Sequence, residues 1–536
     1  MLKYINKIFS LKKFLKANVL LDNNIKKYII FNKKKWKKIN KIERSKQKKK
    51  IVLIDLFPWF PWIHFWGYIV NFLIKKFNVE VKFFYFDLYQ GTGSNYKFYI
   101  RKLKNIYSSL NIKKGITEYD IKRDNIKSLS QKKIFKKISN SKKKFISYRK
   151  KNILIGDLIY DTYLRSTLKP TVDLKDPFLE KIFIRAENIF DYVNKYFREN
   201  KVFCLIPSHV CYISYGIISR IAAGNKVPIF KIHSEFRGNA LHRLTKLSNK
   251  YVLDEPPYWN YRKIFNKFSE KQKIKKLKIG KQILENRLSG KFDKNLPYMT
   301  ISQFKKRKSI PKKNKNKQSI IIFPHCYFDN PHRFRNMIFN DFYEQVLYFL
   351  KVSKRLNDYE WYYKPHPNEL RGDLDVHKRL MKDFKNVNYL HKSVDHYEIL
   401  KLNPKCIITN HGTIGHEYAA LNIPVINTGD NPHVDYDFNI HAKNIKHLNT
   451  IMNNLDKYTK KINFDKKKIY EYFYLRYEYF QNKNDEKIFL KDKYFSVKDI
   501  KMNGSTKLFN YFIKNQNKYD NKINEYIAKF FKKNLI

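Results

Sequence analysis

Apolar runs alternate with polar, helix-period segments along most of this chain. Ile51-Val52-Leu53-Ile54-Asp55-Leu56-Phe57 is almost continuously apolar, the pattern of a strand covered on both faces. A helical stretch to about Phe77 and a second strand from Val79 to Phe86 follow, so a βαβ unit opens the ordered chain. Residues 100–150 turn polar and Lys-rich and read as helices with loops. Ile153 to Arg165 returns to order. Val202 to Pro207 predicts a strand, Tyr212 to Ala223 a helix and Val227 to Ile232 the next strand. A second α/β unit begins at Ser319-Ile320-Ile321-Ile322-Phe323-Pro324-His325. The pattern predicts a helix over 341–355, strands over 360–363, 387–390 and 405–409, a helix from Ile414, and a strand at Val425-Ile426.

These elements divide the chain into five parts. Residues 1–50 form a basic extension, read as a surface helix or an arm. Residues 51–304 form a Rossmann-like domain with an insertion, and 305–318 a polar, charged linker. Residues 319–455 form a second Rossmann-like domain, and 456–536 a charged, aromatic, mostly helical segment. No short repeat of fixed period is evident. The expected fold is α/β, with two Rossmann-like domains facing a central cleft and helical N- and C-terminal extensions. Ligands are expected at that cleft, where the strand ends of both sheets converge.

Composition changes this picture little. A chain of 536 residues calls for more than one core, and a hydrophobic content of 43% can supply them. The formal net charge of +64 invites a nucleic-acid reading. Lys far exceeds Arg, however, and Asn, Ile, Tyr and Phe are abundant with it, as a bias toward A/T-rich codons produces. Arg, the better bidentate reader of phosphates and bases, is not enriched, so no specific nucleic-acid partner is expected. Diffuse Lys charge suits peripheral contact with an anionic membrane. Cys204, Cys211, Cys326 and Cys406 lack metal or redox spacing and read as buried small hydrophobes in a reducing compartment. No secretory signal is visible. Phe57 to Ile74 is nearly all apolar or aromatic and reads as a loop and buried helix rather than a membrane span. Its Trp59, Trp62 and Trp66 also suit a bilayer surface. The expected place of action is the cytoplasm, with peripheral contact at the inner face of the plasma membrane.

Two segments carry most of the candidate chemistry. In Tyr363-Lys364-Pro365-His366-Pro367, two prolines stiffen the turn after a strand and fix the His366 imidazole, with the Lys364 charge beside it. An ordinary Pro-bounded loop with an exposed histidine is the alternative. The second is Thr409-Asn410-His411-Gly412-Thr413-Ile414-Gly415-His416-Glu417. Gly412 and Gly415 allow close backbone approach, and Thr413 fits an N-cap. A helix start offers N–H groups to a phosphate. Glu417 lies one turn on and can accept hydrogen bonds from ribose hydroxyls; a capped core helix is compatible with that role. Both segments follow buried strands of one sheet and together point to a nucleotide diphosphate or monophosphate. Gly91-Thr92-Gly93-Ser94 is Gly-rich but lacks the Lys-Ser/Thr ending of a P-loop.

The Lys-Pro-His-Pro turn, followed by Thr-Asn-His-Gly-Thr-Ile-Gly-His-Glu-Tyr-Ala-Ala-Leu-Asn-Ile-Pro-Val-Ile, resembles the C-terminal half of GT-B glycosyltransferases. The resemblance is nearest to the bacterial capsule and surface-polysaccharide enzymes. Ile155 to Arg165, Glu285 to Lys291 and Phe323 to Asp329 look similar to that group, so the resemblance spans roughly residues 150–440. It implies a metal-independent glycosyltransferase with no cofactor, the nucleotide sugar being a substrate. Carried onto this chain, it implies nucleotide-sugar contacts from His325, Lys364, His366, Asn410, His411, Gly412, Thr413, Gly415 and Glu417. The sugar would pass to a surface polysaccharide or lipid-linked glycan.

The same pattern resembles nucleotide-sugar 2-epimerases. Pro207-Ser208-His209 and Lys231-Ile232-His233-Ser234-Glu235-Phe236-Arg237 are similar to their N-terminal catalytic loops, although Val210 stands where an acidic residue is expected. A polyol-phosphate transferase is a close variant. For a transferase, a base on the N-terminal face must take the acceptor proton. Asp157, Asp161, His209 and Glu235 are the candidates. Asp161 and Arg165 also have the spacing of a helix salt bridge, while His209 ends a strand on the cleft side. Leaving-group charge falls to Lys364, His366 and the helix start near Thr413, with His325 and Arg333 beside them.

Overall fold

The computed structural model describes residues 23–37, 49–57, 59–87, 103–121, 125–237, 239–253, 261–291, 302–305, 310, 317–333, 337–370, 372–479, 487–490 and 506–535. The Gly91–Ser94 turn and most of the 305–318 linker lie outside them.

Two sheets organise these residues. Strands β1 (Ile51–Asp55), β2 (Glu80–Tyr85), β3 (Lys114–Thr117), β6 (Val202–Ile206) and β7 (Ile229–Arg237) run parallel in the order β3-β2-β1-β6-β7. Antiparallel β8 (Asn239–Leu247) and β15 (Lys487–Leu490) extend this sheet to seven strands. A small hairpin, β4 (Arg149–Lys150) with β5 (Ile153–Leu154), stands apart. The second sheet holds β9 (Ser319–Ile322), β10 (Glu360–Tyr363), β11 (Val387–Tyr389), β12 (Pro404–Thr409), β13 (Val425–Asn427) and β14 (Ile440–His441). All six are parallel, in the order β11-β10-β9-β12-β13-β14.

Counted within its own domain, the second order is 3-2-1-4-5-6, that of a doubly wound dinucleotide fold, and the first begins 3-2-1-4-5. The molecule is thus an α/β protein with two Rossmann-like sheets, as the alternating pattern predicts. In each, strand order reverses at one point: between β1 and β6, and between β9 and β12. In doubly wound sheets such a point is where a crevice forms outside the carboxyl ends of the strands.

The apolar runs form strands because both faces are covered. Val52 and Ile54 pack toward helix Phe60–Phe77, whereas Ile51 and Leu53 pack toward helices Gly156–Thr167 and Pro177–Glu199. In the second sheet Ile320 and Ile322 face one layer and Ile321 the other.

The sequence pattern missed three features. Residues 100–150 contain strand β3, short and partly exposed at the sheet edge, so no apolar run marks it. The strand expected at Val227–Ile232 continues into a long hairpin, β7–β8. Helix Lys507–Leu535 returns to the first sheet. There Leu508, Phe509, Phe512, Tyr526, Ile527 and Phe530 share one buried cluster with helix Phe60–Phe77 and with Ile25 and Tyr28 of helix Asn23–Lys35.

The ring of Phe512 stacks on His64 at 3.8 Å, and Asp520 receives Lys35 at 2.7 Å. This cover settles the aromatic stretch. Phe60–Phe77 is a buried helix as expected, but Trp66 is fully buried and Trp62 nearly so. Those two rings are core and are not presented to a bilayer. Among the described residues, no helix is long and apolar enough to cross a membrane.

Polar ties join the halves. Asp341 caps helix Phe342–Arg355 and also receives the hydroxyls of Tyr160 and Thr171, each at 2.5 Å. Lys142 reaches Glu344 at 2.6 Å.

Candidate functional site

Four strands near the reversal points end a few residues before a histidine. β9 leads to His325, β10 to His366 and β12 to His411, while β6 leads to His209 on the other sheet. The first three converge. The rings of His325 and His366 stack with centroids 5.9 Å apart, and His325 and His411 meet edge-on at 5.9 Å. Phe342 packs on both His325 and His411.

Hydrogen bonds fix two of these rings. The Asn368 amide donates to His366 Nδ1 at 3.1 Å, so the neutral ring carries its proton on Nε2 and presents a donor. His411 Nδ1 donates to the Asp430 carbonyl at 3.0 Å. Burial keeps all three rings neutral. His366 is pushed down to about 4 by burial, then by His325 and the Lys364 charge. His325 and His411 are lowered by the same cause. Among the described residues, no group of His, Cys, Asp or Glu is arranged to hold a metal ion.

The Gly-Thr segment differs from the sequence expectation in its physical detail. Helix Ile414–Ala420 has only seven residues. The amides of Gly415, His416 and Glu417 already bond back to Gly412 or Thr413. A phosphate therefore gains less there than a long helix start would offer. Thr413 is the N-cap residue, but its hydroxyl caps no amide. Gly412 is forced by packing, since a Cβ there would lie 2.7 Å from Thr409 Oγ1. At Gly415 a Cβ would meet the His433 ring at 2.5 Å, so that glycine makes room for a buried neighbour. Asn410 is buried at the strand end, and neither amide atom has a hydrogen-bond partner among the described residues.

Glu417 is bound by Arg287, whose Nε donates to Oε1 at 2.5 Å. Both side chains are buried, and the guanidinium lies over the Tyr477 ring at 5.4 Å. Lys364 is buried too, its Nζ donating to the Lys392 carbonyl at 3.3 Å. Its charge acts on His366.

On the opposite face, Asp157 is held by both guanidinium ends of Arg220 at 2.6 and 2.7 Å. Asp161 binds the His332 ring at 2.6 Å and its backbone amide at 3.3 Å. Burial presses His332 toward neutrality, but the Asp161 carboxylate wins and the net shift is upward. Asp161 thus anchors the loop after β9 to the N-terminal domain. Glu235 lies on β7 opposite Leu241, and its side chain is outside the described residues.

His209 is partly exposed, packed among Phe57, Trp62 and Tyr215. Its Nδ1 lies 2.9 Å from the Ser208 hydroxyl, which in turn bonds the Asp55 carboxylate. Burial lowers His209 to about 3, assisted by the charges of Lys231, Arg333 and Arg165.

Arg333 links the two faces. Its charge acts on His209 and Cys211 on one side and on His325 and His411 on the other. His332, Asp55 and Arg287 were not among the sequence candidates. Asp55 left a signal, as a carboxylate closing an otherwise apolar strand. The pairing of Arg287 with Glu417 left none, because the two are far apart in sequence.

Fold and site together define an α/β protein of GT-B-like architecture with two Rossmann-like sheets and histidines at the carboxyl ends of strands beside both reversal points. No family model matches the chain, and no curated protein matches it in sequence. Among solved structures, it is similar to KpsC from Thermosulfurimonas dismutans, described as a beta Kdo 2,4 transferase. Identity is 12%, covering 58% of this chain and 88% of that one, with a TM-score of 0.33. A UDP-GlcNAc 2-epimerase from Neisseria meningitidis is also similar, at 12% identity over 80% of this chain and 98% of that one, TM-score 0.23. The wall teichoic acid polymerase TagF matches over 96% of this chain and 99% of its own, at 13% identity and TM-score 0.21. The fold assignment rests on the strand orders rather than on these likenesses.

Proposed function

We propose that this chain is a glycosyltransferase that moves a sugar from a nucleotide donor to a hydroxyl of a surface polysaccharide or lipid-linked glycan. The observation that carries the reading is the position of Arg333. Its charge acts both on the histidine cluster beside one strand-reversal point and on His209 beside the other.

The donor phosphates sit on the C-terminal side. His366 Nε2–H donates to a phosphate oxygen, and Arg333 supplies the positive charge with Lys364 behind it. Asn410 and the Thr413 hydroxyl are placed to add neutral hydrogen bonds. Of the base candidates, Asp157 and Asp161 are bound to Arg220 and His332. His209 is neutral, and its Nε2 has no partner among the described residues. It accepts the acceptor's hydroxyl proton as that oxygen bonds to the anomeric carbon. The bond from that carbon to the nucleotide breaks with its electron pair, and the departing phosphate carries the charge toward His366 and Arg333. The excess of Lys suits attraction to the anionic surface where lipid-linked acceptors reside.

The test is nucleotide release from a panel of UDP-, GDP- and CMP-sugars and CDP-polyols, offered with lipid-linked glycan acceptors. Release from one sugar donor, lost in His366→Ala, supports the reading. Conversion of a donor without nucleotide release makes the chain an epimerase. Release from a CDP-polyol alone makes it a polyol-phosphate transferase. No binding of any donor overturns the reading.

A further inference from the structure

Asp55 closes β1 and Ser208-His209 follow β6, the two strands that flank the first reversal point. A hydrogen-bond chain crosses between them: Asp55 carboxylate, Ser208 hydroxyl, His209 Nδ1. Asp55 and Ser208 are both buried, and the Asp55 oxygen that Ser208 does not bind has no partner among the described residues. The Tyr107 hydroxyl braces the turn, bonding the Phe57 amide and carbonyl at 3.1 Å and the Asp55 carbonyl at 3.3 Å.

The chain has a direction. A hydroxyl has one proton to give, so Ser208 donates to one neighbour and accepts from the other. With Asp55 ionised, Ser208 donates to the carboxylate and accepts from His209 Nδ1–H. The ring's lone pair is then on Nε2, the nitrogen left for the acceptor. With Asp55 protonated, every bond can reverse, Nδ1 becomes the acceptor, and Nε2 carries the proton. One chain therefore selects between a base and a donor at the same ring nitrogen.

We propose that Asp55 and Ser208 are positioning residues that hold His209 in the Nδ1–H tautomer, making its Nε2 the base. This rests on the reading of His209 given above. Burial raises Asp55 to about 7 against the hydrogen bonds of Ser208, so the chain switches within the physiological range. The charged groups facing His209 are Lys231 from β7, Arg165 from helix Gly156–Thr167 and Arg333 from the loop after β9. All three press the ring toward neutrality, so its own protonation falls far below this range.

The first readout needs no substrate. Diethyl pyrocarbonate attacks an imidazole nitrogen through its lone pair, and peptide mass mapping gives the rate at His209 in the full chain. The wild-type rate, corrected for reagent decay, should fall about tenfold per pH unit below about 7, following Asp55. Asp55→Asn should abolish that dependence, whichever amide atom faces Ser208. Ser208→Ala should flatten it and slow modification severalfold at pH 8. A wild-type profile flat from pH 8 to 5.5, or one kept in Asp55→Asn, overturns the proposal.

The second readout is turnover with whichever donor is released. Ser208→Ala should lower kcat by about 10- to 100-fold, within what general-base catalysis supplies, with donor KM unchanged. Unchanged kcat in both variants overturns the positioning role even if the transferase reading stands. The pH dependence of modification with no binding of any donor keeps the positioning role and defeats the transferase reading.

Discussion

The two reversal points share a strand order and hold their central histidines in opposite ways. At the C-terminal one, the Asn368 amide donates to His366 Nδ1, a bond that leaves Nε2–H as a fixed donor. At the N-terminal one, Nδ1 of His209 meets a hydroxyl backed by a carboxylate, an arrangement that favours an Nε2 acceptor. The fold fixes where each ring stands. One neighbouring atom decides whether the ring gives or takes a proton. On the proposed reading, a doubly wound sheet is used twice in one chain, once for a phosphate and once for a hydroxyl.

The largest expected effect tests that division directly. His209→Ala should lower turnover by about 10²- to 10⁴-fold while leaving donor affinity within about twofold. His366→Ala should weaken donor binding by roughly 10-fold or more, as expected for a lost hydrogen bond to a charged group. Calorimetric titration of the donor separates the two. Equal losses of affinity in both variants would show that the crevices do not divide the work.

Next in size is the ion pair at the edge of the C-terminal crevice. Arg287→Ala leaves the Glu417 carboxylate buried without its partner and should cost about 3–5 kcal/mol in urea unfolding. Replacing both with apolar residues of similar volume should recover most of that loss. If Glu417 also serves the ribose, the double variant will fold well and bind donor poorly. The N-terminal pair, Asp157 with Arg220, lies on the other sheet's side. Its double replacement should leave donor binding intact.

How much of this was legible follows from the physics of each element. The runs at Ile51–Phe57, Ser319–Ile322 and Cys406–Thr409 are buried on both faces, so hydrophobicity alone marks them. Strand β3 is an edge strand that begins at Lys114 and carries no such mark. The histidines at the strand ends could be found, because strand and turn signals lie next to them in sequence. The partners of those residues could not. Glu417 with Arg287, and Asp161 with His332, join segments far apart in the chain, and a tautomer depends on atoms a few ångströms away. The same distance hid the cluster that Trp62 and Trp66 share with helix Lys507–Leu535.

Acid offers a smaller, graded test of both crevices together. His209 and His366 lie near 3 and 4 when folded and near 6.5 when unfolded. Below about 6.5 the unfolded chain binds protons that these rings do not, so stability falls with falling pH. Each ring should contribute up to about 1.4 kcal/mol per pH unit between 6.5 and its folded value. Asp55 acts in the other direction, since its raised folded value adds stability as pH falls from about 7 toward 4. Urea midpoints from pH 7 to 5 should therefore drop less steeply in His209→Gln than in wild type, and more steeply in Asp55→Asn.

The smallest effect concerns a single methyl group. Gly415 sits in the segment whose glycines suggest a ligand pressed against the backbone, yet its open side holds the His433 ring at 2.5 Å from where a Cβ would stand. That ring is fully buried and its Nε2 lies 3.4 Å from Asn427 Oδ1, so it has little room to yield. Gly415→Ala should cost about 1–3 kcal/mol of stability through overpacking, with donor affinity in the folded fraction unchanged. Unfolding curves and donor titration on the same preparation decide the matter. A stable variant with weakened donor binding would move the glycine from the core to the nucleotide. The C-terminal crevice would then be shaped by its ligand, in contrast to the N-terminal one, where packing and hydrogen bonds within the chain set the geometry.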